Sequence, residues 1–144
     1  MNFSEKEQAT LKSLQKEEKM CAEKYSRAAE CTENPALAQM FRKISGEETG
    51  HFQTVTQMLG GTVPAPKTGK KPMTQAPAGQ VSSVQDQFLL EDLLATEKYT
   101  SGAYNSSVFD FEDEQARQVL SEIEQEEQHH GKQLSDWMPP AGLR

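Results

Sequence analysis

Apolar side chains recur every three to four residues in four stretches of the chain, and each stretch opens on a residue suited to cap a helix. Ser4 with Glu7 three positions later forms a capping-box pattern, which predicts a helix from there to about Cys31. Its inward stripe is Leu11, Leu14, Glu18, Cys21 and Tyr25. Asn34 before Pro35 predicts a second helix over Pro35–Leu59, stopped at Gly60-Gly61, with the stripe Leu37, Phe41, Ile44, Glu48, His51, Val55 and Met58. Ser83 with Asp86 starts a third helix that runs to about Phe109 and carries Leu90, Leu93, Glu97, Thr100 and Tyr104. A fourth, from near Asp113 to before Pro139-Pro140, carries Ala116, Leu120, Ile123, Glu127, His130, Leu134 and Trp137.

Between the second and third helices, residues 60–82 show neither helical nor strand period. They hold Pro64, Pro66, Pro72 and Pro77 together with Lys67, Lys70 and Lys71, the composition of a linker. A helix the length of the second is about 37 Å long, and about 20 residues of extended chain can span that distance. The second and third helices are therefore expected to run parallel, joined by one long crossover. The predicted fold is all-α: one four-helix domain over 1–144, made of a first hairpin (4–59), the linker (60–82) and a second hairpin (83–138).

The two hairpins repeat each other without a gap at an offset of 79 residues. Leu11 meets Leu90, Leu14 meets Leu93, Glu18 meets Glu97, and Tyr25 meets Tyr104. Farther along, Ile44 meets Ile123, Glu47-Glu48 meets Glu126-Glu127, and His51 meets His130. In each half a lone glutamate precedes a Glu-x-x-His pair by 30 residues. The repeat also chooses between two candidate pairs. Glu126/His129 has the right spacing, but only Glu127/His130 aligns with Glu48/His51 and shares the apolar stripe, so His129 is expected at the periphery.

Composition narrows the class of protein. A net charge of −7 argues against nucleic-acid or anionic-membrane partners. No apolar run approaches the roughly 20 residues that cross a bilayer. The opening Met1-Asn2-Phe3-Ser4-Glu5-Lys6-Glu7 lacks the apolar core of a secretory signal. Cys21 and Cys31 lie about 15 Å apart along one predicted helix, too far for a disulfide within the chain. A reducing, cytoplasmic setting is the expectation.

The chemistry follows from where the glutamates sit. Glu18, Glu48, Glu97 and Glu127 each interrupt an apolar stripe that contains no Lys or Arg, and Lys19 and Lys98 point about 100° away. An ionised carboxylate buried without a partner costs several kcal/mol, so four converging ones need protons, water or cations. Two divalent ions balance four carboxylates and leave His51 and His130 neutral. Mixed oxygen and nitrogen donors suit iron, manganese or zinc better than calcium. The i, i+3 spacing lets one helix face offer both donor types. Tyr25 and Tyr104, two turns beyond Glu18 and Glu97, read equally as core tyrosines and as groups at the edge of such a site. Cys21, Met58 and Trp137 read as core.

These residues resemble the ferritin-like di-iron carboxylate proteins, including rubrerythrin and bacterioferritin, over both hairpins. The resemblance rests on Glu18, Glu48-Thr49-Gly50-His51, Glu97 and Glu127-Gln128-His129-His130. It implies a ferritin-like four-helix bundle in which Glu18 and Glu97 are terminal ligands, Glu48 and Glu127 bridge, and His51 and His130 complete two shells. It also implies oxidase, peroxidase or catalase chemistry toward O2 or peroxide, with iron the expected metal and manganese or zinc the alternatives. A homodimer is compatible with it. The second half is similar as well to the spore coat protein F family, through Asp92-Leu93-Leu94-Ala95-Thr96-Glu97-Lys98, Tyr104-Asn105 and Glu126-Glu127-Gln128. That likeness implies a structural role in the spore coat, with a vestigial or structural metal site.

Overall fold

The computed structural model describes residues 1–67, 79, 81 and 83–139. Four helices account for most of them: α1 (Glu5–Cys31), α2 (Pro35–Leu59), α3 (Val84–Ser107) and α4 (Glu114–Trp137). Each starts where a side chain satisfies otherwise orphaned N–H groups. Ser4 and Glu7 form the reciprocal capping box on α1, and Asn34 accepts from Ala36 N and Leu37 N on α2. Ser83 accepts from Asp86 N, and Asp113 from Ala116 N. Past α2 the chain turns through Gly61 at φ 95°, where a Cβ would lie 3.1 Å from the Met1 carbonyl oxygen. Glycine is the residue that fits there.

Directions follow from cross-helix contacts. The short turn after Cys31 makes α1 and α2 antiparallel. Thr10 pairs with Asp110, Cys21 with Thr100 and Tyr25 with Glu97, so α3 runs antiparallel to α1. His51 meets Glu126 and Glu47 meets His130, so α4 runs antiparallel to α2. Hence α2 and α3 are parallel, as the long connection requires. The described part of that connection is irregular, as the linker composition predicts, but it follows α4. Val63 and Pro64 carbonyls accept from Gln115, Lys67 N donates to Glu122, and Val81 N donates to the Trp137 carbonyl. Lys70, Lys71, Pro72, Pro77 and the Pro140 stop lie outside the described residues.

One boundary differs from expectation. α3 ends at Ser107, and a 3₁₀ turn covers Val108–Asp110. Phe111 is buried and packs edge-on against Phe3 with ring centroids 5.5 Å apart. Bringing that ring inward takes the chain off the helix axis before Phe109 can extend it.

The four predicted stripes all face inward. They form two apolar layers, one around Tyr25, Leu37, Phe41, Leu90 and Trp137, the other around Leu11, Val55, Met58, Phe111 and Leu120. Between the layers lies a polar one, made of the glutamates and histidines that interrupt the stripes. Among the described residues no helix is long and apolar enough to cross a membrane.

Candidate metal centre

Every helix sends one of its interrupting glutamates into the middle layer. Glu18 comes from α1, Glu48 with His51 from α2, Glu97 from α3, and Glu127 with His130 from α4. All six are buried, with Glu18, Glu48 and Glu127 wholly removed from solvent. They divide into two groups of four donors: Glu18, Glu48, His51 and Glu127, and Glu48, Glu97, Glu127 and His130. Within each group one donor atom per residue lies within 4.8 Å of the others. Glu48 and Glu127 belong to both groups.

The donor atoms are short of partners. Both oxygens of Glu18, Glu48 and Glu127, and Oε1 of Glu97, make no hydrogen bond. Among the described residues the lysine ion pairs go elsewhere, to Asp110, Asp92, Glu126 and Asp136. Buried polar atoms are nearly always satisfied, and this many orphans in one layer form a donor set that a metal ion could satisfy.

The imidazoles face the same layer. His51 Nδ1 lies 3.0 Å from Glu48 Oε1, 3.2 Å from Glu127 Oε1 and 3.4 Å from Glu18 Oε2, yet it makes an aligned hydrogen bond with none of them. Its Nε2 meets Glu126 Oε2 at 2.6 Å. His130 repeats the arrangement. Nδ1 is 3.3 Å from each of Glu48, Glu97 and Glu127, and Nε2 is 3.3 Å from Glu47 Oε1 without alignment. At His51, a carboxylate that accepts from Nε2–H would leave a deprotonated Nδ1 as a lone pair facing the four-donor centre. At His130, Glu47 of the facing helix lies beside Nε2 without an aligned hydrogen bond.

Protons compete for this layer. Loss of water raises the Glu18 carboxyl to about 7, partly offset by the nearby His51 ring. Burial likewise raises Glu97 and Glu127 above the ordinary carboxylate range. For His51 and His130 burial works downward, but the surrounding carboxylates outweigh it and hold both well above the usual imidazole value.

The tyrosines reach across the bundle rather than along their own helices. Tyr25 donates to Glu97 Oε2 at 2.5 Å. Tyr104, its repeat counterpart, is buried near Glu18, but its hydroxyl makes no aligned hydrogen bond. Burial raises both phenols well above their normal range. Cys21 contacts the Thr100 hydroxyl at 3.4 Å, and burial raises its thiol, which leaves it inert as a core residue.

The six residues that the sequence singles out therefore lie in one layer, and His129 lies half-buried outside both donor groups. Glu47 and Glu126 are not among those six. They sit one position before the Glu-x-x-His pairs, off the apolar stripe. Their equivalence under the 79-residue repeat is the signal that could have found them.

A family model described as the Coat F domain matches residues 85–142, the second hairpin. No curated protein and no solved structure matches the chain.

Proposed function

We propose that this chain holds two divalent transition-metal ions, iron by preference, in the middle layer of the bundle. The supporting observation is the pair of four-donor groups that share Glu48 and Glu127, with their oxygens buried and making no hydrogen bond. Glu18 and His51 would hold one ion, Glu97 and His130 the other, and Glu48 and Glu127 both. Two irons there would supply two electrons for the reduction of O2 or peroxide. Around them, Glu126 and Glu47 fix the histidine rings, and Tyr25 fixes one Glu97 oxygen and offers it a proton. The two apolar layers exclude bulk water. Protein prepared without chelator, or given Fe2+ anaerobically, is expected to contain two metals per chain by elemental analysis. A metal content near zero after such loading would overturn the proposal.

Glutamine at position 126 provides a sharper check on the histidine geometry. Glu126→Gln removes the carboxylate that holds His51 Nε2. It is expected to weaken the metal on the Glu18 and His51 side by about 10–100-fold and to leave the count at two, measured by competition with a chromophoric chelator. An unchanged affinity would show that Glu126 does not orient His51.

The match of residues 85–142 to the Coat F domain favours a second reading. In it the bundle is a spore-coat component, and the same layer holds metal for stability or not at all. Consumption of O2 or peroxide by the iron-loaded protein separates the two. Turnover supports the oxidoreductase reading, and its absence at full metal occupancy supports the structural one.

A further inference from the structure

Between α2 and α4, on the His51 side, lies a groove of about 260 Å³ bordered by the Pro64–Lys67 stretch of the connection. His51 forms part of its wall and is 5% exposed. The ring acts as a partition. Nε2 is on the side of Glu126, which lines the groove, and Nδ1, without an aligned partner, is on the side of Glu18, Glu48 and Glu127. Glu47, the partner of His130, lines the same groove, as does Glu122.

Lys67 lies across this acidic wall. Its backbone N–H donates to both oxygens of Glu122 at 2.9 and 3.0 Å, and its ammonium is 3.5 Å from Glu126 Oε1. Gly50 adds a second, independent observation. A glycine inside a helix costs about 0.5–1 kcal/mol relative to alanine, and a Cβ there would meet nothing within 4 Å. Packing therefore does not demand a glycine. What its missing side chain does is leave the groove open beside His51. Under the repeat, Gly50 corresponds to His129 and Glu122 to Lys43. The equivalent surface beside His130 thus carries bulkier groups and a cationic one, and the pseudo-twofold symmetry breaks in favour of the cation-attracting approach beside His51.

We propose that divalent cations reach the buried carboxylates through this α2–α4 groove beside His51, and that Lys67 is a tethered cation which the arriving metal displaces from Glu126. This rests on the metal-holding reading above. Three carboxylates along the groove raise the local cation concentration, and the Lys67 ammonium pairs with Glu126, the carboxylate that meets His51 Nε2.

The test uses the full, metal-free chain mixed with Co2+ in a stopped-flow instrument. Uptake is followed by ligand-field absorption, and the endpoint is counted by equilibrium dialysis. Gly50→Leu fills the groove and is expected to slow uptake by about tenfold or more, with the endpoint unchanged and Gly50→Ala close to wild type. Lys67→Ala is expected to speed uptake by about threefold to tenfold at low salt, the gain shrinking as ionic strength rises. The Lys67 side chain is 81% exposed, so its variants do not depend on core packing. Equal uptake rates in wild type, Gly50→Leu and Lys67→Ala, all reaching full endpoints, would overturn the route. A wild-type chain that takes up no cobalt would remove the metal-holding reading itself, and the route with it.

Discussion

Glutamine at both Glu48 and Glu127 is expected to abolish binding of both metals and, in the metal-free protein, to raise the melting temperature. The two carboxylates belong to both four-donor groups, so neither group keeps more than two of its donors when they are lost. Wild-type protein in metal at a hundredfold excess over Kd should gain about 2.7 kcal/mol by linkage, and the double variant should gain nothing. The metal-free comparison runs the other way. Both side chains are wholly buried and lack hydrogen bonds. His51 keeps Glu18 and Glu126 as neighbours and His130 keeps Glu97 and Glu47, so the two glutamines remove buried charge, whose desolvation costs several kcal/mol, without stranding either imidazole. At about 2–4 °C per kcal/mol for a chain of this size, calorimetry with and without metal resolves both effects. A double variant that still melts higher on adding metal would contradict the assignment.

The metal-free protein is also expected to lose stability as pH rises from about 5 to about 8, unlike most acidic proteins. Glu18 titrates near 7 in the folded chain against an ordinary value of 4.5, and Glu97 and Glu127 shift in the same direction. A raised carboxyl leaves the folded state holding more protons than the unfolded chain, so its contribution is present below 4.5 and is lost as pH climbs toward 7. His51 and His130 are raised from 6.5. Their contribution is present below 6.5 and is lost as pH rises through their higher folded values. Both sets have the same sign. Glu47 and Glu126 are lowered, mainly through His130 for the first and against burial through His51 for the second. Their stabilisation is lost only on acidification below the ordinary carboxylate range, outside this window. A fall in melting temperature of about 5 °C or more is expected across it. Metal takes the place of those protons, so the gain on adding metal should grow with pH over the same interval. A metal-free melting temperature that rises steadily from about pH 5 to about pH 8 would refute the proton-for-metal exchange.

The stripe residues could be read from the chain because helical period and burial coincide in a bundle: Leu11, Phe41, Leu93 and Leu120 had to face inward for any core to form. Glu18, Glu48, Glu97 and Glu127 were legible as exceptions on those stripes, and the offset of 79 residues linked them to His51 and His130. What escaped was whatever depends on a neighbouring helix. Glu47 and Glu126 look like solvated residues on their own helices, and acquire a role only because α2 and α4 face each other at that level. Rise along one helix places Tyr25 and Tyr104 near their own glutamates, whereas Tyr25 reaches Glu97 on another helix. The described part of the connection is irregular, but nothing in its composition says that Lys67 should dock on Glu122 and Glu126. The end of α3 was missed for the same reason, since Phe3 that draws Phe111 inward is more than 100 residues away.

The central claim, two metals shared by Glu48 and Glu127, is tested most directly by anomalous diffraction at the iron and manganese edges from a crystal loaded anaerobically with Fe2+. The account predicts two anomalous peaks in the middle layer, one on the Glu18 and His51 side and one on the Glu97 and His130 side, with Glu48 and Glu127 between them. No anomalous density in that layer after loading, or a single peak outside it, would contradict the account.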